Sequence, residues 1–191
     1  NYALDTNNVD LALRLVRDTA NRGLRTGFRV ILPVDAVLRL PGATDHPLYP
    51  LGLAAAALDA AFRGDLPRAE AAGQEALAAA GRLGSHSHEV DVFVSWGRCL
   101  QAVAIGAWNE AAAEAEHTVE LARSGRTEYH VVDILAGAAI EHTMAGNPDA
   151  AARLASEALD LARHSGAPAS TAHSLTALAG ALADREPQRA R

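Results

Sequence analysis

Three glycines set the frame of this chain. Gly64, Gly106 and Gly146 stand 42 and 40 residues apart, and each opens a segment that aligns without gaps with the other two for most of its length. The segments begin Gly64-Asp65-Leu66-Pro67-Arg68-Ala69, Gly106-Ala107-Trp108-Asn109-Glu110-Ala111 and Gly146-Asn147-Pro148-Asp149-Ala150-Ala151. Five residues after each glycine stands an alanine. A small-then-aliphatic pair follows at Ala76-Leu77, Thr118-Val119 and Ala158-Leu159, then Ala80, Ala122 and Ala162. Gly84, Gly125 and Gly166 close the segments. Steps of seven and four residues put the small side chains along one helical stripe, where a neighbouring helix can approach closely. A glycine in the left-handed conformation is the usual end of a helix, and Asp65 and Asn147 suit the N-cap that follows. Each segment therefore reads as a helical hairpin with a tight, glycine-led turn.

The pattern predicts first helices over about 48–63, 89–105 and 128–145, and second helices over about 66–81, 108–124 and 148–164. A last helix is expected over about 168–184. Alanine and leucine dominate the apolar content, and both lose little on entering a helix. Valine and isoleucine are too scattered for buried strands. The fold class is all-α: a right-handed α-α superhelix of hairpins with a period of about 40 residues. Residues 44–191 hold three hairpins and the last helix. Residues 1–43 read as a divergent helical pair packed on the first hairpin, the whole forming one continuous solenoid. Within that pair, Asn8-Val9-Asp10 caps a helix to about Asn21, which Gly23 and Gly27 break. The apolar stretch Phe28–Leu40 is interrupted by Pro33, and Thr44–Pro50 reads as a loop.

Charge and residue usage narrow the function. The net charge is -6, and every basic residue is an arginine, spread rather than clustered. No basic stripe tracks a phosphate backbone, so nucleic-acid binding is not expected. Without lysine there is no P-loop or Schiff-base lysine. No nucleophile elbow, phosphate-cradling glycine loop or His-Glu-x-x-His sequence is present, and the chain is expected not to be an enzyme and to hold no cofactor. Cys99 is the single cysteine, which removes an internal disulfide and any cysteine-based zinc site. No apolar run reaches the length of a membrane span. The opening Asn1-Tyr2-Ala3-Leu4 starts mid-pattern, as in a cytoplasmic piece of a longer polypeptide.

Two polar groupings invite a chemical reading. His86-Ser87-His88-Glu89 with Asp91 has metal-like composition, but Ser87 suits the cap of the next helix and the grouping reads as a polar inter-repeat loop. His46, His88 and His130 recur with the repeat rather than with a chemistry. Glu141 and His142 are adjacent on a helix and so point in different directions. No metal site is expected.

The scarce aromatic residues are more informative. Phe93, Trp96, Leu100 and Val103 share one face of a first helix, at spacings of three, four and three. In the hairpin register, Leu58 and Phe62 flank that face from the preceding repeat, and Ile140 and Met144 from the following one. These eight residues are the expected lining of a concave groove for a protein partner or an apolar small molecule. The same stripe also suits ordinary inter-helix core.

The Gly-Asp/Asn-x-x-x-Ala turn and Trp108 at a customary aromatic position make these segments resemble tetratricopeptide repeats, although the period exceeds 34 residues. Ala3-Leu4-Asp5-Thr6, Asp10-Leu11-Ala12-Leu13-Arg14-Leu15-Val16 and Leu40-Pro41-Gly42-Ala43 with His46-Pro47-Leu48-Tyr49 look like the helical arm of large actinobacterial regulators. Those proteins join a LuxR-type or nucleotide-cyclase effector to a signal-transducing ATPase. The resemblance implies a sensor or scaffold arm of a regulatory ATPase that contacts the parent's other domains. The alternative is a structural spacer or a homodimerisation module with no ligand of its own.

Overall fold

A computed structural model describes residues 2–26, 33–125 and 128–183; for 21–26 and 128–130 it describes the backbone alone. Among the described residues there are ten α-helices, one 3-10 turn and no strand. The helices are α1 (Tyr2–Asp5), α2 (Val9–Thr26), α3 (Val34–Leu38), α4 (Tyr49–Phe62), α5 (Leu66–Leu83), α6 (His88–Ala104), α7 (Trp108–Ser124), α8 (Glu128–Met144), α9 (Pro148–Ser165) and α10 (Pro168–Leu182). The seven helices expected from the repeat are all present, with ends within two or three residues of those predicted.

The repeat is literal at the level of hydrogen bonds. Gly64, Gly106 and Gly146 have φ of 77°, 74° and 77°. Each glycine N–H donates three residues back, to Ala61, Val103 and Thr143 respectively. The N–H of the next residue donates five residues back, from Asp65 to Ala60, Ala107 to Ala102 and Asn147 to His142, at 2.9, 2.9 and 2.8 Å. This pair of bonds satisfies carbonyls that a helix end leaves unpaired, and it requires a left-handed residue. The next helix then starts at once, with Ala69, Ala111 and Ala151 donating to Asp65, Ala107 and Asn147.

The caps differ in detail. The Asp65 side chain accepts from the Arg68 N–H, and Asn8 from that of Leu11. Asn147 occupies the expected N-cap but makes no side-chain bond. Pro148 at the first helical position leaves one fewer unpaired backbone N–H at this helix start. Gly84 and Gly166 close α5 and α9 in the left-handed conformation, whereas Gly125 has φ -86° and ψ 0°, where any residue fits.

The chain divides into two compact units, one of Asn1–Leu24 and Phe28–Gln101, the other of Ala102–Arg191 with Arg25–Gly27. In the first unit, α4 is buried along almost its whole length and forms the centre. It packs on α3 and α5. Gly52 lets α4 meet the tips of Leu13 from α2 and Leu38 from α3: a Cβ there would stand 2.9 Å from Leu38 Cδ2. Ala60, Ala61 and Ala69 join α4 to α5, and Leu100 of α6 packs on them. Helix α2 continues through Gly23 to Thr26 instead of ending near Asn21. A mid-helix glycine costs only about 1 kcal/mol, too little by itself to end a helix; Ala12, Leu13, Val16 and Ala20 are buried along one stripe of it. Gly27 and residues 28–32 lie outside the described residues. Pro33 precedes α3, and a 3-10 turn at Ala43–Asp45 falls where a loop was expected.

In the second unit, α7 and α9 pack on α8, and α10 packs on both α8 and α9. Helix α9 buries Ala151, Leu154, Ala155, Ala158, Leu159 and Ala162, a helical period in which small residues bring neighbouring axes close. The equivalent alanines at 69, 111 and 151, and at 80, 122 and 162, are all buried. No helix among the described residues is long and apolar enough to cross a membrane.

Candidate functional site

The eight expected groove residues separate by burial. Leu58 and Phe93 are enclosed, Phe93 completely, and belong to the core. Helix α6 has buried residues almost all round from Val90 to Cys99, and spacing alone does not tell one covered face from another. Trp96, Leu100 and Val103 are partly exposed. Phe62, Ile140 and Met144 are open to solvent.

Within the first unit, Phe62 at the end of α4 meets Trp96 of α6 edge-on, with ring centroids 6.5 Å apart and planes at 64°. This arrangement places a positive ring edge on a negative face. Leu100 lies one turn beyond Trp96, on the same α6 face. Beside them is a cleft between α4, α5 and α6, lined by Ala57, Gly73, Val94, Gly97 and Arg98 among others. Its free space, about 10 Å³, is that of a single water.

Within the second unit, Ile140 and Met144 are neighbours on one stripe of α8. The same stripe carries residues that the repeat did not single out: Asp133, Gly137 and Glu141, at successive steps of four. Asp133 is buried, its side chain 5% exposed, and its Oδ1 lies 3.9 Å from Nδ1 of His173 on α10. Its Oδ2 and the Oε2 of Glu141 are buried with no hydrogen-bond partner among the described residues. Burial pushes the Glu141 carboxyl up to about 7, against smaller opposing effects of a backbone hydrogen bond and of His173. Glu141 folds back along α8, so that its Oε2 lies 3.8 Å from where a Cβ on Gly137 would stand. The spacing of the three residues was the available signal, but acidic residues in an alanine-rich helix look like a solvated face until the neighbouring helix is placed.

Glu141 and His142 do point apart. His142 is buried and turns to α7, where Nε2 lies 3.1 Å from Glu116 Oε1, close enough for an ion pair but not aligned as a hydrogen bond. In the 86–91 segment, His86 Nε2 lies 2.9 Å from Asp91 Oδ2, and Ser87 Oγ accepts from the Val90 N–H at 3.4 Å, as a cap would. The side chain of His130 lies outside the described residues. Among the described residues no three His, Cys, Asp or Glu side chains stand together as metal ligands. Cys99 is buried. Ile105, beside the second turn glycine, is 67% exposed and was not anticipated.

The fold and these surfaces define a class, an all-α protein of helical hairpins with exposed apolar side chains at its turns. No family model matches the chain, nor does any curated protein or solved structure.

Proposed function

We propose that the chain is a binding arm. Its hairpins stack into a right-handed superhelix with a period of about 40 residues, which takes a protein partner or an apolar small molecule and serves a larger regulatory ATPase. One observation carries this reading. Phe62 and Met144 stand at equivalent places, two residues before the turn glycines Gly64 and Gly146, and each is 53% exposed. The same hairpin position is thus apolar and open in each of the two units. A large apolar side chain kept open at both contributes nothing to its own core and suits a contact surface. Trp96 and Leu100 add partly covered apolar area near Phe62 in the first unit, and Ile140 adds apolar area near Met144 in the second. Binding there acts on the parent protein only if the ligand favours one packing of the arm over another.

A library of amphipathic helical peptides, screened against the intact chain by fluorescence anisotropy, tests this. Phe62→Ser and Met144→Ser should each weaken a selected peptide at least about tenfold, equivalent to about 1.4 kcal/mol, with unchanged circular dichroism. Binding indifferent to both substitutions, or no binder at all, rejects the reading. Light scattering over a concentration series separates a homodimer, whose mass would double and whose association the same two substitutions would remove.

A further inference from the structure

We infer that the turn end of the second unit seats a basic amphipathic helix from a protein partner, its apolar face on Ile105 and Met144 and its arginine or lysine side chains toward Glu110 and Glu116. The inference rests on the binding-arm reading and names the kind of partner that arm takes.

Topology brings these four residues to one end. Helices α7 and α8 have 17 residues each, are joined by residues 125–127 and pack on each other. Two packed helices with so short a connection run antiparallel. The first turn of α7 therefore lies at the same end as the last turn of α8. Ile105 stands three residues before α7, Glu110 is in its first turn, and Met144 is the last residue of α8. Glu116 is held toward that end as well: its Oε1 lies 3.1 Å from Nε2 of His142, two residues before Met144.

Ile105 is 67% exposed and Met144 53%. Large apolar side chains kept open at one end of a hairpin do not serve the core beneath them, and they suit a contact. The charge beside them has one sign. Glu110 is exposed, and Glu116 keeps 53% of its side chain open. Neither arginine nor lysine occurs from Cys99 to Ala122 or from Thr127 to Ala152. Asp149 opens α9 with Arg153 one turn on, so the start of α9 does not add to the excess. The matching turn of the first unit differs. Next to Phe62, Arg63 lies 2.6 Å from Asp59, and Arg68 pairs with Asp35. Apolar exposure is common to both turns; an excess of negative charge marks the second.

A partner that covers Ile105 and Met144 must offer apolar side chains on one face, and its rim must be positive beside Glu110 and Glu116. One amphipathic helix meets both demands with a single segment. An anionic bilayer is repelled by the same carboxylates.

The probes are two fluorescein-labelled peptides of about 18 residues, one with leucine and lysine on opposite helical faces, the other with glutamate for lysine. Anisotropy with the intact chain should show saturable binding of the lysine peptide, at least about tenfold tighter than of the glutamate peptide. Raising the salt from about 50 to about 300 mM should narrow that difference. Ile105→Ser should weaken the lysine peptide at least about fivefold, and so should the pair Glu110→Gln with Glu116→Gln, at unchanged circular dichroism. No binding of the lysine peptide, equal binding of the two peptides, or binding that survives these substitutions overturns the inference. Association with phosphatidylcholine vesicles, or dimerisation in light scattering, that Ile105→Ser abolishes while the lysine peptide fails to bind would assign the surface to lipid or to a second copy, and overturns it too. If a library peptide still depends on Phe62 and Met144, the binding arm stands without this partner. If no peptide of any composition binds, both readings fall.

Discussion

Phe62 and Trp96 meet edge to face across α4 and α6, and the two rings differ sharply in cover: Phe62 stands mostly in solvent while Trp96 is partly enclosed. Truncating them should therefore separate contact surface from core. In urea unfolding, Phe62→Ala should cost less than about 1 kcal/mol, as for a side chain left largely exposed apart from its one ring contact. Trp96→Ala should cost about 1–3 kcal/mol and leave helicity intact. The double variant should show a coupling of about 0.5–1 kcal/mol for the ring pair. Outright unfolding of Trp96→Ala would make Trp96 a core residue and remove it from the proposed surface.

The alanine stripe makes a second prediction. Ala111 and Ala151 are fully buried at matched places after their turn glycines. Leucine at either site adds three carbons to a contact already closed, and overpacking of this kind costs about 1–3 kcal/mol. Denaturant midpoints of Ala111→Leu and Ala151→Leu should both fall at unchanged m-value. Tolerance of both substitutions would mean that the paired helices do not touch there.

Glycines inside helices should respond in opposite senses, according to what faces them. A Cβ on Gly73 of α5 would meet Val94 Cγ1 at 3.6 Å and Ala57 Cβ at 3.9 Å, ordinary contacts. Gly73→Ala should then gain about 0.5–1 kcal/mol from reduced backbone entropy in the unfolded chain. At Gly52 of α4 the same atom would stand 2.9 Å from Leu38 Cδ2 and 3.1 Å from Leu13 Cδ2, so both leucine tips must shift. Gly52→Ala should lower Tm, and Gly73→Ala should raise it. A rise for both would mean that α2 and α3 yield freely to α4.

What the sequence disclosed and what it withheld divide along physical lines. Helix ends were legible because a left-handed glycine and the residue after it fix a turn locally: the bonds at Gly64, Gly106 and Gly146 involve only five or six neighbouring residues. The N-terminal helix boundary was misread because the intrinsic cost of Gly23 in a helix, about 1 kcal/mol, is too small by itself to end one. The core placement of Phe93 and Leu58 was hidden because α6 and α4 are covered on nearly every side, so their apolar stripes point nowhere in particular. Asp133, and the burial of Glu141, were missed for the opposite reason. A carboxylate becomes informative only when a second helix buries it, and here that helix is α10, some forty residues further along the chain.

Glu141 supplies the pH prediction. Its carboxyl is raised from an ordinary 4.5 to about 7, chiefly by burial. The folded chain therefore holds this proton more tightly than the unfolded chain does. Below about pH 4.5 both states are protonated and the group costs nothing. As pH climbs from there to about 7, the unfolded state releases its proton first and stability falls; above 7 the penalty is complete. Among the described residues, the charged group that bears on it is His173 from α10. Glu116 of α7 faces His142, and Glu157 of α9 is engaged by both bonds from Arg123. Glu141→Gln keeps the shape and loses the charge, so it should match the parent near pH 4 and exceed it by on the order of 2 kcal/mol at pH 8. Urea unfolding at the two pH values measures the gap. A gap that shrinks or changes sign toward pH 8 would mean that the carboxylate has a cationic partner in the folded chain.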